Sequence, residues 1–157
     1  MSKFIWQKKY PTGVENDIDP SKYDSVVELL VQSVKKFSDN PAYVNFGRTL
    51  SFNDIDRYSR DFAAYLQNSG LKPGDRIALQ MPNLLQYPIA LFGSLRAGLI
   101  VVNTNPLYTP REMEHQFKDA GVKAIVILAN FASNLEKILH NTNIQHVIIT
   151  EMGDQIG

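Results

Sequence analysis

The stretch from residue 74 to residue 127, GDRIALQMPNLLQYPIALFGSLRAGLIVVNTNPLYTPREMEHQFKDAGVKAIVI, decides the fold. It alternates short apolar runs with longer helical patterns, and the alternation continues to the end of the chain. The strand-like runs, nearly free of polar residues, are 77–81, 99–102, 124–128 and 146–150. Apolar strands joined by single helices are typical of a mostly parallel sheet covered on both faces. The sequence therefore predicts an α/β fold with helices on both faces of the sheet.

Three helices are predicted between these strands. The first, residues 84–97, is apolar nearly all round, as expected of a helix held between layers. The capping signals of the other two are Thr109 with Pro110 and Glu112, ahead of a helix that ends at Gly121, and Ser133 with Glu136. These signals place the helix starts at Thr109 and near Ser133.

Ahead of the sheet, the chain predicts a helix, a β-hairpin and a second helix. Ser25 and Glu28 have capping-box spacing, and the helix that follows should end near residues 39–41. Its predicted inner face is Val26, Val27, Leu30, Val34 and Phe37. Residues 42–46 and 49–52 flank Gly47 and Arg48 as a hairpin would. The second helix begins with the spacing of Ser51 and Asp54, ends at Gly70, and should face inward with Ile55, Tyr58, Phe62 and Leu66.

Residues 1–23 are interpreted as an irregular docking arm. Pro11, Gly13 and Pro20 interrupt the segment, and its aromatic residues, Phe4, Trp6 and Tyr10, need a surface to pack against. Packing onto the protein is favoured because the segment has no amphipathic helical period. The alternative is contact with a membrane surface, which suits aromatic residues and lysines.

Composition limits the classes of function. The 157 residues contain 16 basic and 16 acidic side chains without a run of like charge, so a nucleic-acid partner is not expected. Cysteine is absent, which excludes disulfides and a cysteine nucleophile and is compatible with a cytoplasmic location. The first eleven residues, MSKFIWQKKYP, lack the continuous apolar core of a signal peptide.

The strand ends lack the glycine-rich turn that a dinucleotide site requires, which argues against a nucleotide-binding oxidoreductase. Gly93 and Gly98 have the outer spacing of a phosphate loop, but Leu99 and Ile100 follow where a lysine and a serine or threonine are required. The favoured interpretation is close helix packing at Gly93 and a helix end at Gly98.

No catalytic or metal-binding residue is predicted. His115, His140 and His146 lack a second ligand at metal-binding spacing. Ser94 does not lie in a nucleophile elbow. The remaining candidates are two carboxylate pairs, Asp54 with Asp56 and Glu112 with Glu114, and both are assigned to capping of helix starts rather than to acid–base catalysis.

The quoted stretch resembles the amino-terminal region of bacterial long-chain fatty acyl-CoA synthetases. In the wider adenylate-forming (AMP-binding) family, an early motif pairs threonine or serine with an aromatic and an acidic residue, and TLSFND at 49–54 is similar to it. LRAG at 95–98 with NPLYTPRE at 105–112 is similar to a second family motif. Three segments extend the resemblance to the long-chain enzymes: MPNLLQYP, VNTNPLYTPRE and, near the end, HVIITEMGDQ.

The resemblance implies that the parent protein is a long-chain fatty acid:CoA ligase. A fatty acid carboxylate would attack the α-phosphate of ATP, and CoA would then displace AMP, with Mg²⁺ accompanying ATP. The family's phosphate loop, nucleotide-binding region, hinge and catalytic lysine match no stretch here, so no catalytic, cofactor-binding or metal residue is carried over. Residues 84–97 are interpreted as core rather than as part of an acyl tunnel.

This chain is therefore expected to be a catalytically incompetent amino-terminal fragment, with residues 24–157 forming part of the large N-terminal AMP-binding domain. It is expected to bind no ATP, CoA or Mg²⁺ by itself. The alternative is a stand-alone binding or oligomerisation module with the same fold. A homodimer, and peripheral contact with the inner face of the cell membrane, are open alternatives for a cytoplasmic protein.

Overall fold

The structure, a computed structural model, describes residues 4–156. Its strands are β1 (Pro41–Asn45), β2 (Arg48–Ser51), β3 (Arg76–Gln80), β4 (Ile100–Asn103), β5 (Val122–Leu128) and β6 (His146–Thr150). Its α-helices are α1 (Val26–Phe37), α2 (Phe52–Asn68), α3 (Gln86–Arg96), α4 (Pro110–Ala120) and α5 (Ala132–Leu139). Two 3₁₀ helices complete the elements, one in the arm (Ile5–Lys9) and one before α5 (Ala129–Phe131).

The main sheet has four strands in the order β4-β3-β5-β6, and all three pairings are parallel. The central strand β3 places Ile77 beside Val101 on one side and Ala124 on the other. All four predicted strands are present within two residues of their predicted bounds. The parallel sheet and the α/β class are thus confirmed.

Helices cover both faces of the sheet, as predicted. On one face, α2 and α3 form a core with alternate strand residues such as Ile77 and Leu79. On the opposite face, α4 and α5 pack against residues of the other parity, such as Ala78 and Ile125. Alternation of side chains along each strand is what divides the core between the two faces.

The hairpin is confirmed, but its turn lies one residue earlier than predicted. Strands β1 and β2 are antiparallel, and Asn45 pairs with Arg48, so Phe46 and Gly47 form the turn. Both residues have positive φ, +47° and +77°, as a type I′ turn requires. Phe52, predicted to end the second strand, is instead the first residue of α2.

Helix α1 has the predicted cap but a narrower buried face. The Ser25 hydroxyl accepts a hydrogen bond from the Glu28 amide at 3.1 Å, while the Glu28 carboxylate accepts one from the Asp24 amide. Leu30 is buried, and Phe37, although 38% exposed, has its ring centroid 5.8 Å from that of Phe52 of α2. Val26, predicted to face inward, is 54% exposed. The helix contacts the rest of the protein mainly through its middle turns.

The caps of α2 and α4 are confirmed, whereas the predicted cap of α5 is wrong. Ser51 with Asp54 and Thr109 with Glu112 form complete capping boxes, and Gly121 ends α4 with φ of +64°. Ser133 lies inside α5, because a 3₁₀ turn precedes that helix and moves its start to Ala132. No side-chain oxygen caps α5 at its first residue.

The arm differs from the expectation that its aromatic residues pack onto the protein. A 3₁₀ helix runs from Ile5 to Lys9, and within it Ile5 and Trp6 are 83% and 55% exposed. Tyr10 is also exposed. Phe4 stacks on Trp6, with ring centroids 4.5 Å apart, so the two rings bury part of each other's surface. Residues 1–3, which belong to the predicted arm, lie outside the described residues.

None of the helices within residues 4–156 combines the length and the apolar character needed to cross a bilayer.

Candidate functional site

The candidate site is the edge of the sheet at which all four parallel strands end, because ligands of open α/β sheets bind outside the carboxyl ends of the strands. The last residues of the first two strands of this sheet, Gln80 and Asn103, bring amide groups to this edge, and Thr150 brings a hydroxyl. The segments that follow these strands add further amides from Asn83, Asn105 and Asn130. The edge is therefore rich in neutral hydrogen-bonding groups.

Two glutamine side chains hold the loop between β4 and α4. Gln80, which is fully buried, donates from Nε2 to the Asn105 carbonyl at 3.3 Å, and Gln116 of α4 donates to the Asn103 carbonyl at 3.2 Å. The Oε1 atoms of both glutamines are buried and accept no hydrogen bond from a protein group. A buried amide oxygen without a donor costs free energy, so the two glutamines hold the loop at some cost to stability.

Helix α3 is tied to the same edge at its first turn. Gln86 donates from Nε2 to the Glu151 carbonyl at 2.6 Å, and the Tyr87 hydroxyl donates to Asn103 Oδ1 at 2.8 Å. Beyond β6, the Thr150 hydroxyl donates to the carboxylate of Asp154 at 2.8 Å. Amides and hydroxyls make nearly all of these contacts, and no nucleophile is paired with a general base among them.

Two of the grooves beside this edge are lined partly by α3. One, of about 370 Å³, lies between the hairpin and the start of α3 and is lined by Tyr43, Val44, Asn45, Asn83, Leu84, Leu85, Tyr87, Pro88 and Leu91. Burial, and secondarily the neighbouring Tyr87, raises the pKa of Tyr43. The other groove, of about 220 Å³, lies between α3 and β6 and is mostly apolar. Neither groove presents a lysine or arginine that could pair with a phosphate or carboxylate group.

The first members of the two carboxylate pairs are caps, as predicted. Asp54 accepts hydrogen bonds from the amide and hydroxyl of Ser51 at 3.0 and 2.8 Å, and these bonds lower its pKa. Glu112 accepts the same two bonds from Thr109, at 2.8 and 2.7 Å, and its pKa is lowered for the same reason. Both carboxylates are held in the ionised form, which a general acid could not use.

The second members of the pairs are not caps, which corrects the sequence prediction. Asp56 forms an ion pair with Arg96 of α3, with 2.6 Å between Oδ1 and Nη2, and a second with Arg60 at 3.0 Å. Glu114 pairs with Lys118 of its own helix at 2.6 Å, which lowers the Glu114 pKa. Both residues lie in the second turn of their helices, beyond the reach of the free amides at the helix start.

The glycine and serine of α3 have structural roles. An added Cβ at Gly93 would lie 2.8 Å from Phe62 Cδ1 and 3.0 Å from the Ser59 carbonyl oxygen, so Gly93 permits close approach of α3 to α2. Gly98 ends the helix with φ of +78°. Ser94 is fully buried and donates to the Ala90 carbonyl at 2.7 Å. These observations confirm the predicted roles of Gly93 and Gly98.

No group of three or more histidine, cysteine, aspartate or glutamate side chains within residues 4–156 is arranged to hold a metal ion. His115 lies on the surface beside Thr109, Arg111 and Glu112, His140 follows the last residue of α5, and His146 is the first residue of β6.

Sequence reasoning did not identify Gln80, Gln116 or the Asp56–Arg96 pair. A signal existed for two of these residues, since Gln80 is a polar residue in an apolar strand and Arg96 a charged residue in an apolar helix. Such residues require partners when buried. The identity of the partner, 25 residues away for Gln80 and 40 for Arg96, depended on the tertiary fold.

Comparisons with known proteins agree on one family. A family model described as AMP-binding enzyme matches residues 30–156. The long-chain-fatty-acid–CoA ligases of Escherichia coli and Haemophilus influenzae are 57% and 58% identical to this chain, over 99% and 98% of its residues. The chain spans 28% and 27% of the length of these two relatives. A crystal structure of the anthranilate CoA ligase AuaEII in complex with anthranoyl-AMP superimposes on 96% of this chain with a TM-score of 0.79 at 19% identity, covering 28% of that ligase.

Proposed function

The chain belongs to the AMP-binding enzyme family, and from this premise we propose that its parent protein is a long-chain fatty acid:CoA ligase. The observation that carries the proposal is the 57% identity to the Escherichia coli long-chain-fatty-acid–CoA ligase over 99% of this chain. A second relative named for the same activity, from Bacillus subtilis, is 35% identical over 96% of the chain. Relatives this different from one another that share one named activity support that activity for the parent protein.

The proposed reaction has two steps. A carboxylate oxygen of the fatty acid attacks the α-phosphorus of ATP, the bond to the bridging oxygen breaks, and pyrophosphate leaves with the electron pair. The thiol sulfur of CoA then attacks the acyl carbon, loses its proton, and displaces AMP to give the thioester. ATP, CoA and the fatty acid are the proposed substrates. Mg²⁺ is the proposed metal of the parent enzyme, and none of residues 4–156 is proposed as its ligand.

The role proposed for residues 4–156 in the parent enzyme is structural. The edge at which the parallel strands end presents neutral amides. Two carboxylates that were considered for acid–base catalysis, Asp54 and Glu112, instead accept hydrogen bonds at the starts of their helices. We therefore propose that the catalytic, nucleotide-binding and metal-binding residues lie outside this chain, and that residues 24–157 are part of the large N-terminal domain of the parent. The proposed location is the cytoplasm, with which the absence of cysteine is compatible.

Two measurements test the proposal. The reading frame beyond codon 157 is expected to continue into a loop rich in serine, threonine and glycine that contains a lysine; a stop codon at that position contradicts the ligase assignment. The full-length product is expected to form acyl-CoA from palmitate, ATP and CoA with release of pyrophosphate. A full-length product that releases no pyrophosphate with any long-chain acid would also contradict it.

The proposed incompetence of the isolated chain needs its own assay. The purified 157-residue chain, incubated with the same substrates, is expected to give no acyl-CoA above a blank without protein, with the full-length product as positive control. Turnover by the isolated chain would overturn this part of the proposal. None of the relatives reported above is named as a stand-alone binding or oligomerisation module, so that alternative gains no support from them.

A further inference from the structure

We draw no further inference here: the strongest candidate, the apolar surface of β6, with Val147 and Ile149 39% and 56% exposed and Ile148 lining the groove beside α3, carries none, because the chain spans 28% of the length of its Escherichia coli relative and nothing in the structure shows what covers this strand.

Discussion

The two helical layers on the main sheet are held in different ways. Helices α2 and α3 meet through a close contact at Gly93 and an ion pair between Asp56 and Arg96, whose side chains are only 14% and 12% exposed. Helices α4 and α5 are held on the opposite face by apolar side chains, with Met113, Phe117, Leu135 and Ile138 as the buried ones. Apolar burial is non-directional, whereas ion pairs and close contacts require one geometry. Both layers are therefore stabilised by apolar burial, and the first also has an ion pair and a close contact that specify one geometry.

The largest effect is expected from the apolar layer, with Phe117→Ala. Phe117 is fully buried between α4 and the sheet, and its truncation removes apolar contact and leaves a cavity. The free energy of unfolding should fall by about 3–5 kcal/mol. Urea unfolding of the 157-residue chain measures the change, and Phe117→Leu, which preserves most of the volume, serves as the milder control. A loss below about 1 kcal/mol would show that the stability of this layer does not depend on buried apolar surface area.

The next effect tests the ion pair of the first layer. Asp56→Ala leaves the Arg96 guanidinium, 12% exposed, with only the Ser59 hydroxyl at 3.0 Å as partner. The expected loss is about 3 kcal/mol, because breaking a buried pair leaves an uncompensated charge.

A double-mutant cycle with Arg96→Met isolates the pair, and the double variant should be more stable than the sum of the two single losses predicts. Lys118→Met, which breaks the more exposed pair with Glu114 in the other layer, is the control and should cost clearly less. Additive losses in the cycle would mean that Asp56 and Arg96 stabilise the layer independently.

Gly93→Ala tests the close contact between α2 and α3. In an unobstructed helix this substitution stabilises by up to about 1 kcal/mol, but here the new Cβ would meet the Ser59 carbonyl at 3.0 Å. Because backbone must move to make room, we expect a net loss of about 1–2 kcal/mol. Gly153→Ala is the matched control, since a Cβ added there would meet no atom within 4 Å and its effect should stay within about 0.5 kcal/mol. A stabilising Gly93→Ala would contradict the close-contact role.

The capping boxes should not distinguish the layers. Ser51→Ala at α2 and Thr109→Ala at α4 each remove a hydroxyl that accepts a hydrogen bond from the third helical amide, at 3.1 and 3.4 Å. Each should cost about 1 kcal/mol, because a cap acts on its own helix end and not on the packing beyond it. Urea midpoints of the two variants should agree closely. A cap loss several times larger in one layer would show that helix ends and packing are coupled there.

The smallest effect is the dependence of stability on pH. The pKa values of Asp54, Asp75 and Glu112 are lowered in the folded protein by hydrogen bonds to Ser51, to Lys123 and Lys72, and to Thr109 respectively. A lowered folded-state pKa gives stability that is complete above the unfolded-state pKa of about 4 and is lost as the pH falls through the lower folded-state pKa. Urea midpoints should therefore be constant from about pH 7 to about pH 5 and fall below it, and Ser51→Ala should fall less steeply than the unsubstituted chain.

Local signals in the sequence were sufficient to predict a helix or strand boundary where only neighbouring residues determine that boundary. The box of Thr109, Pro110 and Glu112 and the stop at Gly121 needed only neighbouring residues, so α4 has its predicted bounds. Ser133 failed as a cap because the chain after β5 makes a 3₁₀ turn before α5, and the serine then lies inside the helix. Capping spacing alone could not reveal which of two possible starts the preceding loop allows.

The candidate site was less predictable than the fold. The absence of a glycine turn at the strand ends was visible in the sequence, but the hydrogen bonds that organise this edge join residues far apart in the chain. Gln86 reaches the carbonyl of Glu151, 65 residues later, and Tyr87 reaches Asn103. Each of these contacts exists because the parallel sheet brings the ends of separate strands to one edge.

The sequence by itself determined the α/β class, the approximate bounds of the four parallel strands, and the caps of α2 and α4. These follow from periodicity and from interactions between residues three or four apart, which any window of the chain contains. Only the tertiary structure decided that Asp56 pairs with Arg96, that Gln80 holds the loop at Asn105, and that the aromatic residues of the arm stay exposed. Those outcomes depend on which surfaces meet after the sheet has formed, and that is a property of the whole chain.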